Sequence, residues 1–143
     1  NLLLKTASGE PRYMNYESLS DGGFATGTMM GSGGFIVLDE DQCVVKHTMT
    51  LAHFYNHESC GQCTPCREGT GWLYRIIHRI ENGEGRPEDL DLLESVGDQM
   101  AGKTICALAD AAVMPVQGMM KHFRDEFEYH IEHKKCKCNH KWC

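Results

Sequence analysis

Three cysteines stand two residues apart in Cys60-Gly-Gln-Cys63-Thr-Pro-Cys66, and no other feature of the chain restricts its fold so tightly. Three thiolates at this spacing can wrap one loop around a face of an iron–sulfur cube, and a 4Fe–4S cluster takes four thiolates, one for each iron. Such a loop has to bend sharply and aim backbone N–H groups at sulfur. Gly61 permits the bend, and Pro65 fixes the exit into a helix, in whose first turn a missing N–H costs nothing. The start of that helix brings partial positive charge beside Cys66, which favours thiolate over thiol and helps hold an anionic cluster. Arg67 adds a full charge.

The fourth ligand is not local. In the bacterial ferredoxin run a fourth Cys follows three residues after the third, where this chain has Thr70. Cys106 is the better of two distant candidates. It follows Gly102 and precedes the small residues Ala107-Leu108-Ala109, which let a helix start approach a cluster closely. Two intervening helices can form a hairpin that returns the chain to the loop. Cys43, one helix upstream of Cys60, is the second candidate. A zinc-stabilised interaction module is the rival reading, although zinc usually shows two separated Cys-x-x-Cys pairs. A disulfide framework needs an export signal, and Leu2-Leu3-Leu4 is too short for one. A catalytic thiol lacks a Cys–His–Asn pattern, and His57 reads as a surface residue at a helix end.

The rest of the chain sets the surroundings. A net charge of −6, with His133-Lys134-Lys135 as the one short basic cluster, argues against a nucleic-acid partner. No stretch approaches the roughly 20 apolar residues of a membrane span, so the expectation is a cytoplasmic chain without direct membrane insertion. Residues 1–34 are rich in Gly, Ser and Thr and read as part of a small β domain. Phe35-Ile36-Val37-Leu38 reads as a short buried strand. Asp39 and Asp41 suit a helix start, with Val44, Thr48, Leu51 and Tyr55 at helical spacing and an end near His57. Trp72, Ile76 and Ile80 form the stripe of the helix after Pro65, which Asn82-Gly83 stops. Pro87 opens the next, with Glu88 and Asp89 in its acidic first turn and Leu90, Leu93, Val96 and Met100 as its stripe. A short helix over Ile105–Val113 is expected to break at Pro115, and Val116, Met120, Phe123, Phe127 and Ile131 mark a final long helix. The fold expected is mainly α. Residues 41–133 form a four- or five-helix bundle carrying the cluster, residues 1–40 the truncated end of a small β domain, and residues 134–143 a disordered or atypical tail.

Several segments together resemble a known family. Glu58-Ser-Cys-Gly-Gln-Cys-Thr-Pro-Cys-Arg-Glu-Gly-Thr-Gly-Trp72 is similar to the cluster-binding segment of the flavin-carrying, NADH-binding subunit of respiratory complex I. Thr104-Ile-Cys-Ala-Leu-Ala-Asp-Ala-Ala112 resembles that family's fourth-ligand segment. Pro115-Val-Gln-Gly118 with His122-Phe-Arg124 resembles its terminal helix, and Gly31-Ser-Gly-Gly-Phe-Ile-Val-Leu-Asp39 the junction after its β-grasp domain. The resemblance implies that Cys60, Cys63, Cys66 and Cys106 hold a 4Fe–4S cluster. That cluster would take single electrons from FMN reduced by NADH and pass them toward quinone. It also implies partners among the other subunits of the peripheral arm, and membrane association only through that complex. The same module occurs in diaphorase subunits of NAD-linked hydrogenases and formate dehydrogenases. The family's FMN- and NADH-binding domain lies N-terminal to the matching region, and the Gly31–Gly34 run does not replace it. The 143-residue chain is therefore expected not to oxidise NADH alone.

The remaining features have simpler readings. Cys136-Lys-Cys138-Asn-His140-Lys-Trp-Cys143 could offer Cys136, Cys138, His140 and Cys143 to a second metal, but Cys-x-Cys is a poor zinc clip and a disordered tail is the simpler reading. His130 and His133 read as a solvated helix end, Met119 and Met120 as core filler, and Trp72 as a core residue beside the loop. A redox or oxygen sensor would carry an output domain, and no segment resembles one.

Overall fold

The computed structural model describes residues 3–5, 11–13, 33–34, 36–39 and 41–138. The chain divides into two compact units, residues 1–38 and 39–143. In the first, β1 (Leu3–Lys5) pairs antiparallel with β2 (Pro11–Tyr13), Leu3 opposite Tyr13. The β-grasp-like arrangement expected there falls mostly outside the described residues. The strand expected over 35–38 is not formed by residues 36–38, and Ile36 and Val37 are exposed. An apolar run becomes a strand only where another strand's edge receives it, and among the described residues none pairs with 36–38.

The second unit is mainly helical, with five helices among its described residues. They are α1 (Val44–Glu58), α2 (Thr64–Glu81), α3 (Glu88–Met100), α4 (Leu108–His122) and α5 (Arg124–His133). Helix α1 starts later than the aspartates suggest. Gln42 N donates to Asp39 O in a preceding turn, and the cap is Cys43, whose sulfur accepts from Lys46 N at 3.4 Å. Helix α2 begins after Cys63 with Pro65 in its first turn and stops at Asn82, followed by Gly83 at φ +74°. Helix α3 buries Leu90, Leu93, Val96 and Met100, the stripe expected of it.

Two boundaries differ from expectation downstream. Pro115 lies inside α4, which runs unbroken to His122. The break comes instead at Phe123, at φ −134° and ψ 31°, and α5 is a separate helix. The apolar face of α4, with Ala109, Ala112, Val113, Val116 and Met120 buried, continues across the proline. Burial of that face outweighs the one backbone bond that proline removes.

The core is built from Val45, Leu73, Ile77, Ile80, Leu93, Met100, Val113 and Phe127, all essentially without solvent contact. Each such large side chain contributes about 1.5–3 kcal/mol of burial. On α2 the buried stripe is Leu73, Ile76, Ile77 and Ile80, while Trp72 is 49% exposed. Trp72 is therefore a surface residue, one position off the core face.

The helices run back and forth between two ends. At one end, the α1 C-terminus and the α2 N-terminus meet, where Thr70 Oγ1 of α2 contacts Asn56 Oδ1 of α1 at 3.4 Å. Their other ends also meet, with Cys43 Sγ 3.6 Å from Glu81 Oε2. Helix α3 runs back from the second end toward the first, and its last residue, Met100, packs on Gly69 of α2. No described helix is long and apolar enough to cross a membrane.

Candidate metal centre

Cys60 and Cys63 lie in the tight turn between α1 and α2, and Cys66 lies in the first turn of α2. Ser59 caps α1, its N–H bonding Tyr55 O, and the chain reverses through Gly61 at φ +77°, a left-handed conformation that favours glycine. Cys63 is the N-cap of α2 and its carbonyl accepts Arg67 N at 2.8 Å. Cys66 sits in the first turn, so Cys63 and Cys66 stand at the positive end of an 18-residue helix and Cys60 three residues before its cap. Cys60 is exposed, Cys63 half-buried and Cys66 buried.

Three neighbours hold this turn. Arg67 Nη1 donates to Gly61 O at 2.9 Å and Nη2 reaches Thr64 Oγ1 at 3.4 Å, so the guanidinium clamps the loop while adding positive charge beside it. Thr70 Oγ1 donates to Cys66 O at 2.8 Å, so the side chain at the position of a local fourth cysteine is buried and occupied with the backbone. Ser59 Oγ lies 3.2 Å from Cys66 Sγ and accepts Gly61 N at 3.4 Å. Sequence reading missed Ser59, and its one signal there is a hydroxyl next to the first cysteine.

The segment that leads into Cys106 reaches α2 by a separate route. A Cβ built on Gly69 would stand 2.5 Å from Met100 Sδ, so the end of α3 touches α2 one turn beyond Cys66. From there the chain enters a short loop closed by Gly102 N donating to Asp110 Oδ1 at 2.8 Å. Cys106 lies inside that pinned loop, with its carbonyl accepting Thr104 Oγ1 at 2.8 Å, and it is exposed, as is Ile105 beside it. Asp110 was not among the residues singled out from sequence, although an acidic side chain facing Gly102 is what closes the loop.

Cys43, the second candidate for fourth ligand, is at the opposite end. It caps the start of the 15-residue α1, and Cys60 follows the end of the same helix. At 1.5 Å per residue the two are about 22 Å apart, so they cannot share one cluster. Cys43 Sγ lies instead 3.4 Å from His130 Nε2. His130 is fully buried, contrary to the solvated helix end expected of it; His133 is exposed. Burial pushes the Cys43 thiol far above its ordinary value, and the Glu81 carboxylate adds to this. Burial alone would lower the His130 pKa, but Glu81 and the Glu126 carbonyl outweigh it and raise the value. Of the tail residues considered for a second metal, Cys136 and Cys138 are half-buried, and His140 and Cys143 lie outside the described residues.

The donor set at the α1–α2 end fits an iron–sulfur cluster. It is all sulfur, three donors come from around one helix start, and a fourth stands in the loop that follows Met100. Comparison with known proteins points the same way. The NADH-ubiquinone oxidoreductase-F iron-sulfur binding region matches residues 46–130, a span that includes all four cysteines. The F subunit of the NADH-quinone oxidoreductase of Rickettsia bellii is 45% identical over 130 residues, 91% of this chain and 30% of that protein. Its counterpart in Mycobacterium bovis is 47% identical over 123 residues, 86% of this chain and 27% of that protein. An NAD+-reducing NiFe hydrogenase in its H2-reduced state superimposes with a TM-score of 0.64 at 33% identity, over 66% of this chain and 16% of that one. The chain thus spans less than a third of the length of these relatives.

Proposed function

The chain belongs to the NADH-ubiquinone oxidoreductase-F iron–sulfur family, and from that membership we propose that it carries one 4Fe–4S cluster on Cys60, Cys63, Cys66 and Cys106 and serves as a one-electron relay. What supports this reading is the packing of Met100, the residue that leads into the Cys106 segment, against Gly69 of α2, one turn beyond Cys66. When bound, the cluster supplies reversible one-electron chemistry. The protein's own residues do the rest. The α2 N-terminus and Arg67 offset the negative charge of thiolates and cluster. Thr70 and Ser59 hold the turn in shape, and Ser59 Oγ is placed to donate to Cys66 sulfur. Such hydrogen bonds and charges tune a cluster's potential. Cys60 and Cys106 are exposed, so the site is open to close approach by a donor and an acceptor.

The relatives' names extend the proposal to the assembly. Electrons would arrive from FMN reduced by NADH and leave toward quinone, with the chain packed among the other subunits of a peripheral arm. The hydrogenase likeness keeps a diaphorase module as the second parent.

The test is spectroscopic. Anaerobically purified chain should be brown, and dithionite should reduce it to a species with an EPR signal. A colourless protein holding zinc in the cysteine turn, without iron, contradicts the reading and supports a zinc-stabilised module instead.

A further inference from the structure

A second set of metal-binding side chains gathers at the far end of the bundle. The ligand atoms of Cys43, His130 and Cys136 all lie within 4.8 Å of one another. Cys43 is 2% exposed and His130 has no exposure at all. The three come from the cap of α1, the last turn of α5 and the segment after it. Cys43 caps the start of the 15-residue α1 and Cys60 follows its end, so this grouping is separate from the cysteine turn.

Among Cys43, His130 and the neighbouring Glu81 the distances suit a tetrahedral ion. Zinc binds sulfur at about 2.3 Å and nitrogen or oxygen at about 2.0–2.2 Å, which puts donors at tetrahedral corners about 3.4–3.7 Å apart. Cys43 Sγ to His130 Nε2 is 3.4 Å, Cys43 Sγ to Glu81 Oε2 is 3.6 Å, and His130 Nε2 to Glu81 Oε2 is 3.4 Å. The ring is oriented as metal-bound imidazoles are. Nδ1 lies 2.7 Å from the Glu126 carbonyl, which can only accept, so Nδ1 carries the hydrogen and Nε2 can present its lone pair to the sulfurs. Glu126 is itself fixed, its carboxylate accepting Val44 N at 3.2 Å. Mixed sulfur, nitrogen and oxygen donors in a buried pocket suit zinc, which is borderline soft and has no geometric demand beyond four donors.

We propose that Cys43, His130 and Cys136 bind one structural zinc ion, with the Glu81 carboxylate, already beside the first two, turning into the fourth position. The ion would join the start of α1, the end of α2, the end of α5 and the segment after it. It would fix the residues following α5 against the body of the bundle.

The whole chain, purified anaerobically with its cluster, should contain about one zinc in addition to its iron. Zinc-edge X-ray absorption should show a first shell of two sulfurs and two nitrogen or oxygen atoms. Cys136→Ser should lose zinc while keeping iron and sulfide; Cys136 lies outside the helices and at the edge of the core, and serine is nearly isosteric with it, so the helical circular dichroism should persist. Cys66→Ser should do the reverse, keeping zinc while losing iron. Cys43→Ser should behave as Cys136→Ser does. Absence of zinc, zinc retained by Cys136→Ser, an all-sulfur zinc shell, or a Cys43–Cys136 disulfide-linked peptide would each overturn the proposal. A shell of three sulfurs would overturn the part given to Glu81.

Discussion

At Gly69 the α2 backbone has to accept the side chain of Met100, with a Cβ standing 2.5 Å from its Sδ and 2.6 Å from its Cγ. Met100 is 1% exposed and has nowhere to swing. Gly69→Ala should therefore cost about 1–3 kcal/mol, the usual penalty for overpacking a filled core, read from the denaturant midpoint. An unchanged midpoint would mean that α3 does not end against α2 where the Cys106 loop begins. Single residues also show what a sequence can and cannot reveal. Cys60, Cys63 and Cys66 are legible because their relation is local and their spacing carries chemistry. Trp72 and Leu73 are adjacent, and a helical stripe drawn from apolar letters fits either face, so only packing shows that Leu73 is the buried one. His130 is opaque for a different reason, since its partners Cys43 and Glu81 are brought to it by the folding of other helices.

The hairpin of α2 and α3 is fastened by a buried acid at the scale of the element. Glu88 and Asp89 read from sequence as ordinary helix-start acids, and Asp89 proves to be 1% exposed. It binds both Arg79, through Nε at 3.0 Å and through Nη2, and the Arg86 N–H at 2.8 Å. Burial pushes the Asp89 carboxyl up, but these donors outweigh it and hold the carboxyl below its ordinary value. Asp89→Ala removes the acceptor of Arg79 and of the Arg86 N–H and should cost about 1.5–3 kcal/mol near neutral pH, because the Arg79 left behind is partly hydrated. A group with a lowered folded pKa stabilises above its unfolded value and ceases to do so as pH falls through the folded one. The gap between variant and parent in urea unfolding should therefore narrow below about pH 4. A gap that stays constant into acid would show that the carboxylate's charge contributes nothing. The hairpin turn makes a second demand. Gly83 is at φ +74°, and a Cβ there would stand 2.7 Å from Lys134 O, so Gly83→Ala should lower the melting temperature by strain and by collision. Equal melting temperatures would count against this packing of the turn on the α5 end. Helix α4 was less legible: Pro115 reads as a break, yet the helix continues because its apolar face on both sides of the proline is buried.

Over the whole helical unit, the two ends have different supports. Between them runs a core of large apolar side chains that owes nothing to metal, while the turn over residues 59–63 and the loop over 101–107 hold few buried groups. Removing the cluster should therefore lower the thermal midpoint and free those two segments first. Hydrogen exchange on apo and loaded chain should show protection lost there and kept in the centre of α2 and α3, whereas identical exchange and identical melting would count against the cluster as a cross-link. The five helices were mostly foreseeable, because periodicity and Gly, Pro and acidic stops are local signals. The existence of two separate chemical ends was not, because it depends on α1, α2 and α3 running antiparallel. The most direct measurement is iron and acid-labile sulfide in anaerobically purified chain and in Cys106→Ala. The parent should hold about four of each per chain, the content of a 4Fe–4S cluster, and Cys106→Ala should lose iron and sulfide while its helical circular dichroism persists. A parent without iron, or a Cys106→Ala chain that keeps the parent's full complement, would contradict the assignment of Cys106 as the fourth ligand and with it the relay.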